Sequence, residues 1–433
     1  MTTCVVGLGK IGLPLAVQIA SKGERVIGAD ISSKVVDLVN KGEEPFPGEF
    51  DLANRLHQVI SEGLLEATTE TAEAVRASEN VIVVVPLIVD DQARPDFSAI
   101  DAATVDVANG LHAGSFISYE TTLPIGTTRD RFKPALESVS SLACGEDFFL
   151  CHSPERVFSG RIFEDLRRYP KLIGGVDELS TARAISFYES ILDFDERPDL
   201  DRPNGVWDLG SSEAAEMAKL VETTYRNVNI ALANEFALHA QEIGLDIASV
   251  IEASNSQPFS HVHQPGVAVG GHCIPVYPKF YLTSDTSALL PEVAIKVNES
   301  MPGRVVSMAK EEVGDLQNKK VVVLGASYRG GVKETAFSGV FPLSQEIKDQ
   351  GGIPLVHDPM FTEEELMGLG LQSYQLGEEC DVVIVQSDHE VYGHLSAEDI
   401  PGATHLFDGR KVVDATLLHP VQVFRLGNGQ RRK

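Results

Sequence analysis

A single cysteine stands in an unusual local setting past the middle of the chain. Residues 269–277 read Val-Gly-Gly-His-Cys-Ile-Pro-Val-Tyr, so Cys273 follows a glycine pair and a histidine and precedes Pro275 by two residues. Glycine lets a backbone approach a ligand closely, and proline stiffens the segment beyond the thiol. This pattern favours a presented nucleophile. A buried structural cysteine in a tight loop is the alternative, because free cysteines mostly behave as small apolar side chains.

A lysine within a helical pattern is the second candidate for chemistry. Apolar residues recur at helical spacing over residues 212–243, and Lys219 lies near the start of this stretch. A lysine on a helix is usually a solvated surface residue, and that is the alternative to a catalytic role. The presence of the cysteine and of a dinucleotide fingerprint favours the catalytic interpretation.

The N-terminus carries that fingerprint. A short apolar strand leads into Gly7-Leu8-Gly9-Lys10-Ile11-Gly12, an apolar helical pattern follows, and a second strand ends at Asp30. Strand, Gly-x-Gly-x-x-Gly, helix, strand and an acidic residue form the context in which this motif binds a dinucleotide. We expect Gly7, Gly9, Lys10, Ile11 and Gly12 to surround the pyrophosphate. Asp30 should accept hydrogen bonds from both ribose hydroxyls and repel a 2′-phosphate, so NAD is preferred over NADP.

Two further loops follow predicted strands. Thr122 lies in the loop after the strand at residues 115–119, and Glu155 lies in the loop after the strand at residues 148–151. Ligands of doubly wound sheets bind at the carboxyl ends of strands, so both side chains could face the nicotinamide. A helix cap or turn residue is an equally good interpretation of each from the pattern alone.

The alternation of strands and helices predicts an α/β protein with two Rossmann-like, doubly wound domains joined by a mostly helical central domain. The predicted divisions are residues 1–208, 209–315 and 316–433. The first should bind NAD, the middle one should carry the cysteine loop and a dimer contact, and the last should bind the substrate.

The last predicted domain lacks a Gly-x-Gly-x-x-Gly motif, so it should hold something other than a second dinucleotide. Arg329 and Arg410 lie at or near predicted strand ends there and could bind a diphosphate or a base; surface arginines are the alternative. Residues 406–413 are predicted to form strand, turn and strand.

The charge balance excludes some classes of partner. The chain has 433 residues, 36 of them basic and 63 acidic, for a net charge of −27. Such a chain offers no basic surface for nucleic acid or an anionic membrane. No apolar run is long enough to cross a bilayer, and no leader peptide is apparent.

The cysteine pattern indicates a reducing compartment and no metal. The five cysteines are an odd number and widely spaced, which predicts neither a disulfide framework nor a zinc site, so we expect a cytoplasmic protein. His261, His263, His272 and Cys273 crowd together, but their spacing matches no common zinc pattern.

Taken together, the motifs identify a family resemblance over nearly the whole length. The chain resembles the UDP-sugar 6-dehydrogenases, and more closely the branch that acts on UDP-N-acetylhexosamines such as UDP-N-acetylmannosamine. The matching pieces are residues 7–14, Thr122-Leu-Pro-Ile-Gly-Thr-Thr128, Ser153-Pro-Glu-Arg-Val157, Glu216-Met-Ala-Lys-Leu220, Gly270-Gly-His-Cys-Ile-Pro275 and Asp408-Gly-Arg410.

The resemblance implies an activity and a set of roles. Enzymes of this family form dimers and oxidise the sugar C6 alcohol to a carboxylate with two NAD molecules. By this resemblance Cys273 forms a thiohemiacetal and then a thioester, and Lys219 stabilises the oxyanion. Glu155 and Thr122 position the hydrolytic water and the cofactor. By the same resemblance, Arg156, Val157, Arg226 and Gly270 fall at substrate-contacting positions and Arg410 at a nucleotide-contacting one. Glu155, Lys219 and Arg329 are also expected to bind substrate.

Four positions depart from the family pattern. Tyr277 stands where the family usually has an aspartate, and Thr223 stands where it usually has an asparagine; both are counted among the expected catalytic residues. Phe259 replaces an arginine that reaches a neighbouring subunit's ligand, and Leu87 replaces a threonine on the cofactor side. A threonine can still donate to an oxyanion, whereas tyrosine is neutral near pH 7 and gives the lysine no carboxylate partner.

Three alternatives therefore stay open. The chain could be a UDP-glucose 6-dehydrogenase, or a nucleotide-sugar-binding homologue with weakened catalysis. A β-hydroxyacid dehydrogenase of similar domain plan would need a lysine but no thiol.

Overall fold

The structure is a computed structural model that describes residues 1–90 and 94–429. The chain folds into two compact units, Met1–Glu222 and Thr223–Lys433. The boundary lies inside one long helix. Among the described residues, no helix combines the length and apolarity that crossing a membrane requires.

The first unit is built from alternating strands and helices. Its strands are β1 (Thr2–Val6), β2 (Arg25–Ala29), β3 (Leu65–Thr68), β4 (Asn80–Val83), β5 (Ile88–Val89), β6 (Pro95–Asp96), β7 (Phe116–Tyr119), β8 (Phe149–His152), β9 (Lys171–Gly175) and β10 (Val206–Asp208). Its helices are α1 (Gly12–Ala20), α2 (Ser33–Asn40), α3 (Leu52–Ser61), α4 (Thr71–Arg76), α5 (Ser98–Gly110), α6 (Lys133–Ser140), α7 (Ile162–Arg168) and α8 (Glu178–Ile191).

Eight of these strands form one sheet in the order β10-β9-β8-β7-β4-β1-β2-β3. Strands β4, β7 and β1 are almost wholly buried, as expected for parallel strands that are covered by helices on both faces. The order reverses at β1, which pairs with β2 on one side and β4 on the other. The carboxyl ends of β1, β4, β7 and β8 therefore share one edge of the sheet. Strand β9 runs antiparallel to β8, so its amino end lies at that same edge.

The second unit contains helices and a smaller sheet. Helix α9 (Ser212–Glu242) crosses the boundary between the units, and it is followed by α10 (Ile247–Asn255), α11 (Tyr277–Ser284), α12 (Leu289–Val313), α13 (Val340–Asp349) and α14 (Glu363–Gly368). The strands are β11 (Lys320–Leu324), β12 (Ile353–His357), β13 (Val382–Val385), β14 (His405–Asp408) and β15 (Gln422–Arg425).

All five strands of the second sheet are parallel, in the order β12-β11-β13-β14-β15. The order reverses at β11, so a crevice for a ligand is expected outside the carboxyl ends of β11 and β13. The predicted fold class, two doubly wound α/β sheets with a helical region between them in sequence, is confirmed. The exact limits of three domains stay a prediction.

One local prediction was wrong, and one helix was not predicted. The last strand of the second sheet is β15 at Gln422–Arg425, not a strand within residues 406–413. Residues 409–413 instead form a turn whose backbone N–H groups donate to the buried carboxylate of Asp408. The sequence also showed no helix directly after the cysteine loop, where α11 begins at Tyr277. Its short length and early proline hide the helical period.

Candidate functional site

The glycines of the fingerprint are required by close contacts in the first unit. Gly7 has a φ of +94°, and a Cβ there would lie 3.0 Å from the Val84 carbonyl oxygen. A Cβ on Gly12 would lie 1.8 Å from the Gly7 carbonyl oxygen. Gly9, in contrast, faces open space within 4 Å. The first and third glycines thus form the turn, and the second leaves room for a ligand at the start of α1.

The carboxylate of Asp30 is oriented by the loop that it follows. Its Oδ2 accepts a hydrogen bond from the Leu8 N–H at 2.8 Å, and its Oδ1 accepts one from the Ser32 N–H at 2.9 Å. Each oxygen keeps a lone pair for a further donor. An open glycine turn at a helix start with a fixed carboxylate beside it fits the pyrophosphate and ribose of a dinucleotide.

Two loops at the carboxyl edge of the first sheet are tied together by their backbones. The Glu155 N–H donates to the Glu120 carbonyl oxygen at 3.2 Å, which joins the loop after β8 to the loop after β7. The Thr121 hydroxyl donates to the Val85 carbonyl oxygen at 2.6 Å, which joins the loop after β7 to the segment after β4. Thr122 is buried in this arrangement. The fingerprint, Thr122 and Glu155 therefore share one edge, as expected.

An ion cluster that was not predicted surrounds Glu155. The Lys171 ammonium lies 2.6 Å from Glu120 Oε2 and 3.5 Å from Glu155 Oε2, and the Tyr188 hydroxyl donates to Glu120 Oε1 at 2.6 Å. Burial alone would raise the pKa of Glu155, but Lys171 and the Arg156 N–H, with a further effect of Lys219, hold it below its ordinary value. Lys219 thus lies within electrostatic reach of Glu155.

A weak signal for this cluster exists in the sequence. Lys171 opens an otherwise apolar strand directly after Pro170, and Glu120 follows a strand that is fully buried. A charged side chain at the end of a buried strand requires a partner. Which partner it has cannot be deduced from the sequence, because Lys171 and Glu120 are 51 residues apart.

Glu216 connects helix α9 to the loop that contains Thr122. Its Oε2 accepts from the Gly126 N–H at 2.5 Å, and its Oε1 accepts from the Thr128 N–H at 2.8 Å and the Thr128 hydroxyl at 2.7 Å. Burial raises the pKa of Glu216 to about 7, although the three hydrogen-bond donors lower it. Lys219 follows one turn later on the same helix, so Glu216 sets its distance from the Thr122 loop.

Replacement of Glu216 by alanine is expected to lower the free energy of unfolding by about 3 kcal/mol, because three buried donors lose their acceptor. A carboxyl whose pKa is raised by folding contributes stability that is present below the unfolded pKa and lost as the pH rises through about 7. The loss in Glu216→Ala should therefore be about 1 kcal/mol smaller at pH 8 than at pH 6. Denaturant unfolding at both pH values measures this.

Glu235→Ala, on the exposed face of the same helix, is the matched control and should change the free energy of unfolding by less than about 0.5 kcal/mol. An equal loss at pH 6 and pH 8 for Glu216→Ala would contradict the assigned titration.

Cys273 differs from the other cysteines of the chain, all five of which the structure describes. Cys4, Cys151 and Cys380 are buried and Cys144 is half-buried, whereas Cys273 is exposed. Burial raises the pKa of Cys4, Cys144 and Cys151 to about 12. The structural alternative, a buried cysteine in a tight loop, is thereby excluded.

The glycine pair before Cys273 packs against the segment after β11. The Gly271 N–H donates to the Ala336 carbonyl oxygen at 2.8 Å. A Cβ on Gly270 would lie 2.6 Å from Tyr328 Cβ, and Gly271 has a φ of +89°. Close packing against Tyr328 thus explains why residue 270 is a glycine. The contact of Gly270 with substrate stays a prediction.

Asparagines of α9 hold the other side of the cysteine loop. The Asn227 side chain donates to the Ile274 carbonyl oxygen at 3.3 Å, and Asn234 Oδ1 accepts from the Gly266 N–H at 2.9 Å. Asn298 of α12 donates to the Asn227 carbonyl oxygen at 3.0 Å and accepts from Asn234. These three side chains are buried, and the sequence analysis missed them. Their signal is the presence of amides at core positions of helices, which need partners.

The departures from the family pattern lie close to the loop or on α9. The Tyr277 N–H donates to the Cys273 carbonyl oxygen at 2.9 Å, so Tyr277 begins α11 directly below the thiol-bearing residue. Thr223 is buried on α9, Leu87 is buried after β4, and Phe259 is 91% exposed. His272 lies 3.8 Å from Glu334 and is exposed.

Arg410 lies at the carboxyl edge of the second sheet. Its guanidinium donates to the Gln386 carbonyl oxygen at 2.5 Å and to the Ala268 carbonyl oxygen at 3.2 Å. It therefore links the end of β13 to the segment that leads into the cysteine loop. Arg329 contacts the Tyr328 hydroxyl at 3.3 Å after β11. Both arginines lie by the crevice expected for a nucleotide.

The remaining predicted substrate positions have varied settings. Arg156 pairs with Glu222 at 2.5 Å and donates to the Pro170 carbonyl oxygen at 3.2 Å. Val157 is partly buried and packs on the core of the first unit. Arg226 is exposed on α9. Their contacts with substrate stay predictions.

Comparison with known protein families accounts for this combination of sites. Three models match in order along the chain: the NAD binding domain (residues 1–192), the central domain (213–300) and the UDP binding domain (322–415) of one family. The chain belongs to the UDP-glucose/GDP-mannose dehydrogenase family. Its predicted class, an NAD-dependent oxidoreductase, and its predicted cofactor are confirmed by this membership.

Individual members of the UDP-glucose/GDP-mannose dehydrogenase family match over nearly the full length. A UDP-N-acetyl-D-mannosamine dehydrogenase of Pyrococcus horikoshii is 33% identical, with 95% of this chain and 96% of the relative covered. An NDP-N-acetyl-D-galactosaminuronic acid dehydrogenase of Ralstonia nicotianae is 31% identical, with 92% and 93% covered. The solved structure of UDP-D-ManNAc dehydrogenase from Pyrococcus horikoshii has a TM-score of 0.87 over 99% of this chain and 100% of that chain, at 30% identity.

Proposed function

We propose that this protein catalyses the NAD-dependent, four-electron oxidation of the C6 alcohol of a UDP-N-acetylhexosamine, with UDP-N-acetylmannosamine favoured, to the uronate. The observation that carries the proposal is the exposed thiol of Cys273 on a loop held by Asn227, Gly271 and their partners. A core cysteine would need none of this support. The relatives with the same domain order act, by their names, on N-acetylated nucleotide sugars.

The proposed reaction has two oxidations and one hydrolysis. NAD, which the glycine turn at Gly7–Gly12 and Asp30 would hold, would supply the hydride acceptor for both oxidations of C6. After the first, the alcohol is an aldehyde, and the Cys273 sulfur attacks its carbon to form a thiohemiacetal. Loss of the second hydride leaves a thioester, which water cleaves to the carboxylate and the free thiol. Overall one alcohol, one water and two NAD yield one carboxylate, two NADH and three protons.

The side chains near the reaction have distinct proposed roles. The Lys219 ammonium stabilises the negative oxygen that develops in each thiol adduct, for which a fixed cation is well suited. Glu155, held ionised by Lys171, accepts the proton of the hydrolytic water. Thr122 lies in the loop beside the cofactor, and Thr223 is a further donor to the oxyanion. Tyr277 orients the Cys273 carbonyl from the start of α11.

The experiment is a panel of UDP-sugars mixed with the protein and NAD, with NADH formation followed and the products weighed by mass spectrometry. Two NADH per sugar and a mass gain of one oxygen and a loss of two hydrogens at C6 are expected with UDP-N-acetylmannosamine. NADH formation with UDP-glucose and with no other sugar of the panel would favour a UDP-glucose 6-dehydrogenase. Binding of UDP-sugar and NAD that raises the melting temperature without turnover would favour the homologue with weakened catalysis.

The same proposal includes a homodimer. Tyr225, Leu232 and Phe236 on α9 are exposed, as is Ile243 directly after its end, and the spacing of seven, four and seven residues puts them on one side of the helix. A continuous apolar stripe on a helix needs a partner surface. We assign that partner to a second copy of the chain. The cytoplasm as its location stays a prediction, based on the five unpaired cysteines.

Phe236→Glu is expected to convert the dimer to a monomer, because a charge would be buried in the apolar contact. Light scattering after size-exclusion chromatography measures the mass. Met367→Glu, an exposed methionine on α14, is the matched control and should remain a dimer. A monomeric parent protein, or an unchanged mass for Phe236→Glu, would refute the assignment.

A further inference from the structure

The buried ion cluster beside Glu155 has two carboxylates and one ammonium. Glu120 is fully buried, Lys171 is 5% exposed and Glu155 is 14% exposed at the side chain. Glu155 is therefore the member with the most access to solvent and to a bound substrate. Its Oε1 accepts from the Arg156 N–H at 2.6 Å, so the Lys171 contact falls on the other oxygen.

The topology of the sheet explains how the ammonium arrives there. Strands β7 and β8 are parallel, so Glu120 and Glu155 follow neighbouring strands at one edge. Strand β9 is antiparallel to β8, and Lys171 is its first residue. Because of this reversal, Lys171 at the beginning of β9 lies close to Glu120 and Glu155, which follow the ends of β7 and β8.

Side chains from β7, β8, α8 and α9 act on the cluster. The Tyr188 hydroxyl on α8 donates to Glu120, and Ser118 on β7 contacts both Tyr188 and Cys151. His152 on β8 is buried, and burial, together with Lys171, lowers its pKa to about 3, so it is neutral. From α9, Lys219 acts on Glu155.

The charge count leaves room for one proton. Two ionised carboxylates and one ammonium sum to one negative charge, whereas one protonated carboxyl makes the cluster neutral. Burial raises the pKa of Glu120 to about 7, while the pKa of Glu155 is held below its ordinary value. The pKa of Lys171, which burial alone would lower, is kept above its ordinary value by both glutamates. The proton therefore belongs to Glu120.

We propose that Lys171 is a positioning residue for Glu155: its buried ammonium keeps that carboxylate ionised and aimed, and Glu120 takes up the proton that would otherwise neutralise it. The inference rests on the proposed function for the role of Glu155 as base. The state of the Glu155 carboxyl itself can be measured whether or not the protein turns over a sugar.

The direct test is a titration of Glu155 by ¹³C NMR on protein labelled at the glutamate side-chain carboxyl, with the signal assigned through Glu155→Gln. Lys171→Met is expected to raise the pKa of Glu155 by more than about one unit, because the buried carboxylate loses the attraction of the ammonium. Lys171→Arg should keep it near the parent value. The double variant Lys171→Met with Glu120→Gln should titrate close to Lys171→Met, because a protonated Glu120 carboxyl and a glutamine amide are both neutral.

The activity of the same variants gives an independent readout. The acidic limb of the kcat–pH profile of Lys171→Met should move to higher pH by the same amount as the Glu155 titration, so kcat falls at low pH and recovers as the pH rises, with the sugar KM within about threefold of the parent. Glu120→Gln should lose the inflection near pH 7. Lys22→Met, which removes a surface lysine paired with Asp193, is the matched control.

The outcomes separate the two proposals. A parent protein that forms no NADH with any sugar refutes the proposed function, and the NMR titration still decides the role of Lys171. Unchanged titration of Glu155 in folded Lys171→Met, or loss of the shift in the double variant, overturns the inference. If Lys171→Met does not fold, the Lys171→Arg variant decides. A shifted Glu155 titration in Lys171→Arg refutes the role of Lys171, and an unshifted titration, together with the pH profile of Glu120→Gln, supports it.

Discussion

Replacing Cys273 by serine is expected to lower uronate formation by at least about 10³-fold, because a hydroxyl is a far weaker nucleophile than a thiol. The first oxidation does not use the sulfur in the proposed reaction. The variant should therefore still form aldehyde, with one NADH per sugar in place of two. Trapping of the aldehyde as an oxime, followed by mass spectrometry, measures this change of product.

Cys144→Ser is the matched control, since Cys144 is half-buried in the first unit and has no proposed role. It should retain activity within about twofold of the parent. Full uronate formation by Cys273→Ser would remove the thiol from the mechanism and favour a dehydrogenase that depends on lysine alone.

Replacing Lys219 by methionine is expected to lower kcat by about 10²–10³-fold, the loss that follows removal of one group that stabilises an oxyanion. The side-chain length is retained, so packing on α9 should change little. The KM for the sugar should stay within about threefold, because the ammonium acts on charge that develops only after binding. Steady-state kinetics across pH 6–9 measures both constants.

Lys296→Met supplies the control for a helical lysine: it removes an exposed side chain paired with Glu292 on α12 and should leave kcat unchanged. A kcat for Lys219→Met within about threefold of the parent would contradict the catalytic role and would show that Lys219 is a solvated surface lysine.

The two variants probe different units of the chain. Cys273 lies in the second unit and Lys219 in the first, on the same long helix that carries Asn227 toward the cysteine loop. Within the first unit Glu216 accepts a hydrogen bond from the Thr122 loop, and within the second unit Asn227 donates to the Ile274 carbonyl oxygen.

The sequence by itself determined the features that depend on neighbours along the chain. The turn at Gly7, the acidic residue Asp30 and the apolar strands follow from local rules, because a glycine turn and a period of alternation need only adjacent residues. The prediction that Cys273 is presented had the same basis, in Gly270, Gly271 and Pro275. The motif order also identified the family, since six short segments in one order rarely coincide by chance.

Only the tertiary structure decided which distant groups meet. Lys171 reaches Glu120 and Glu155 because β9 runs antiparallel to β8, and strand direction is set by pairing between residues far apart in the chain. Glu216 finds its donors 88 and 90 residues away. The last strand lies at Gln422–Arg425 because that segment, and not residues 409–413, pairs with β14. Contacts of this kind depend on the energy of the whole packed core, which no local pattern records.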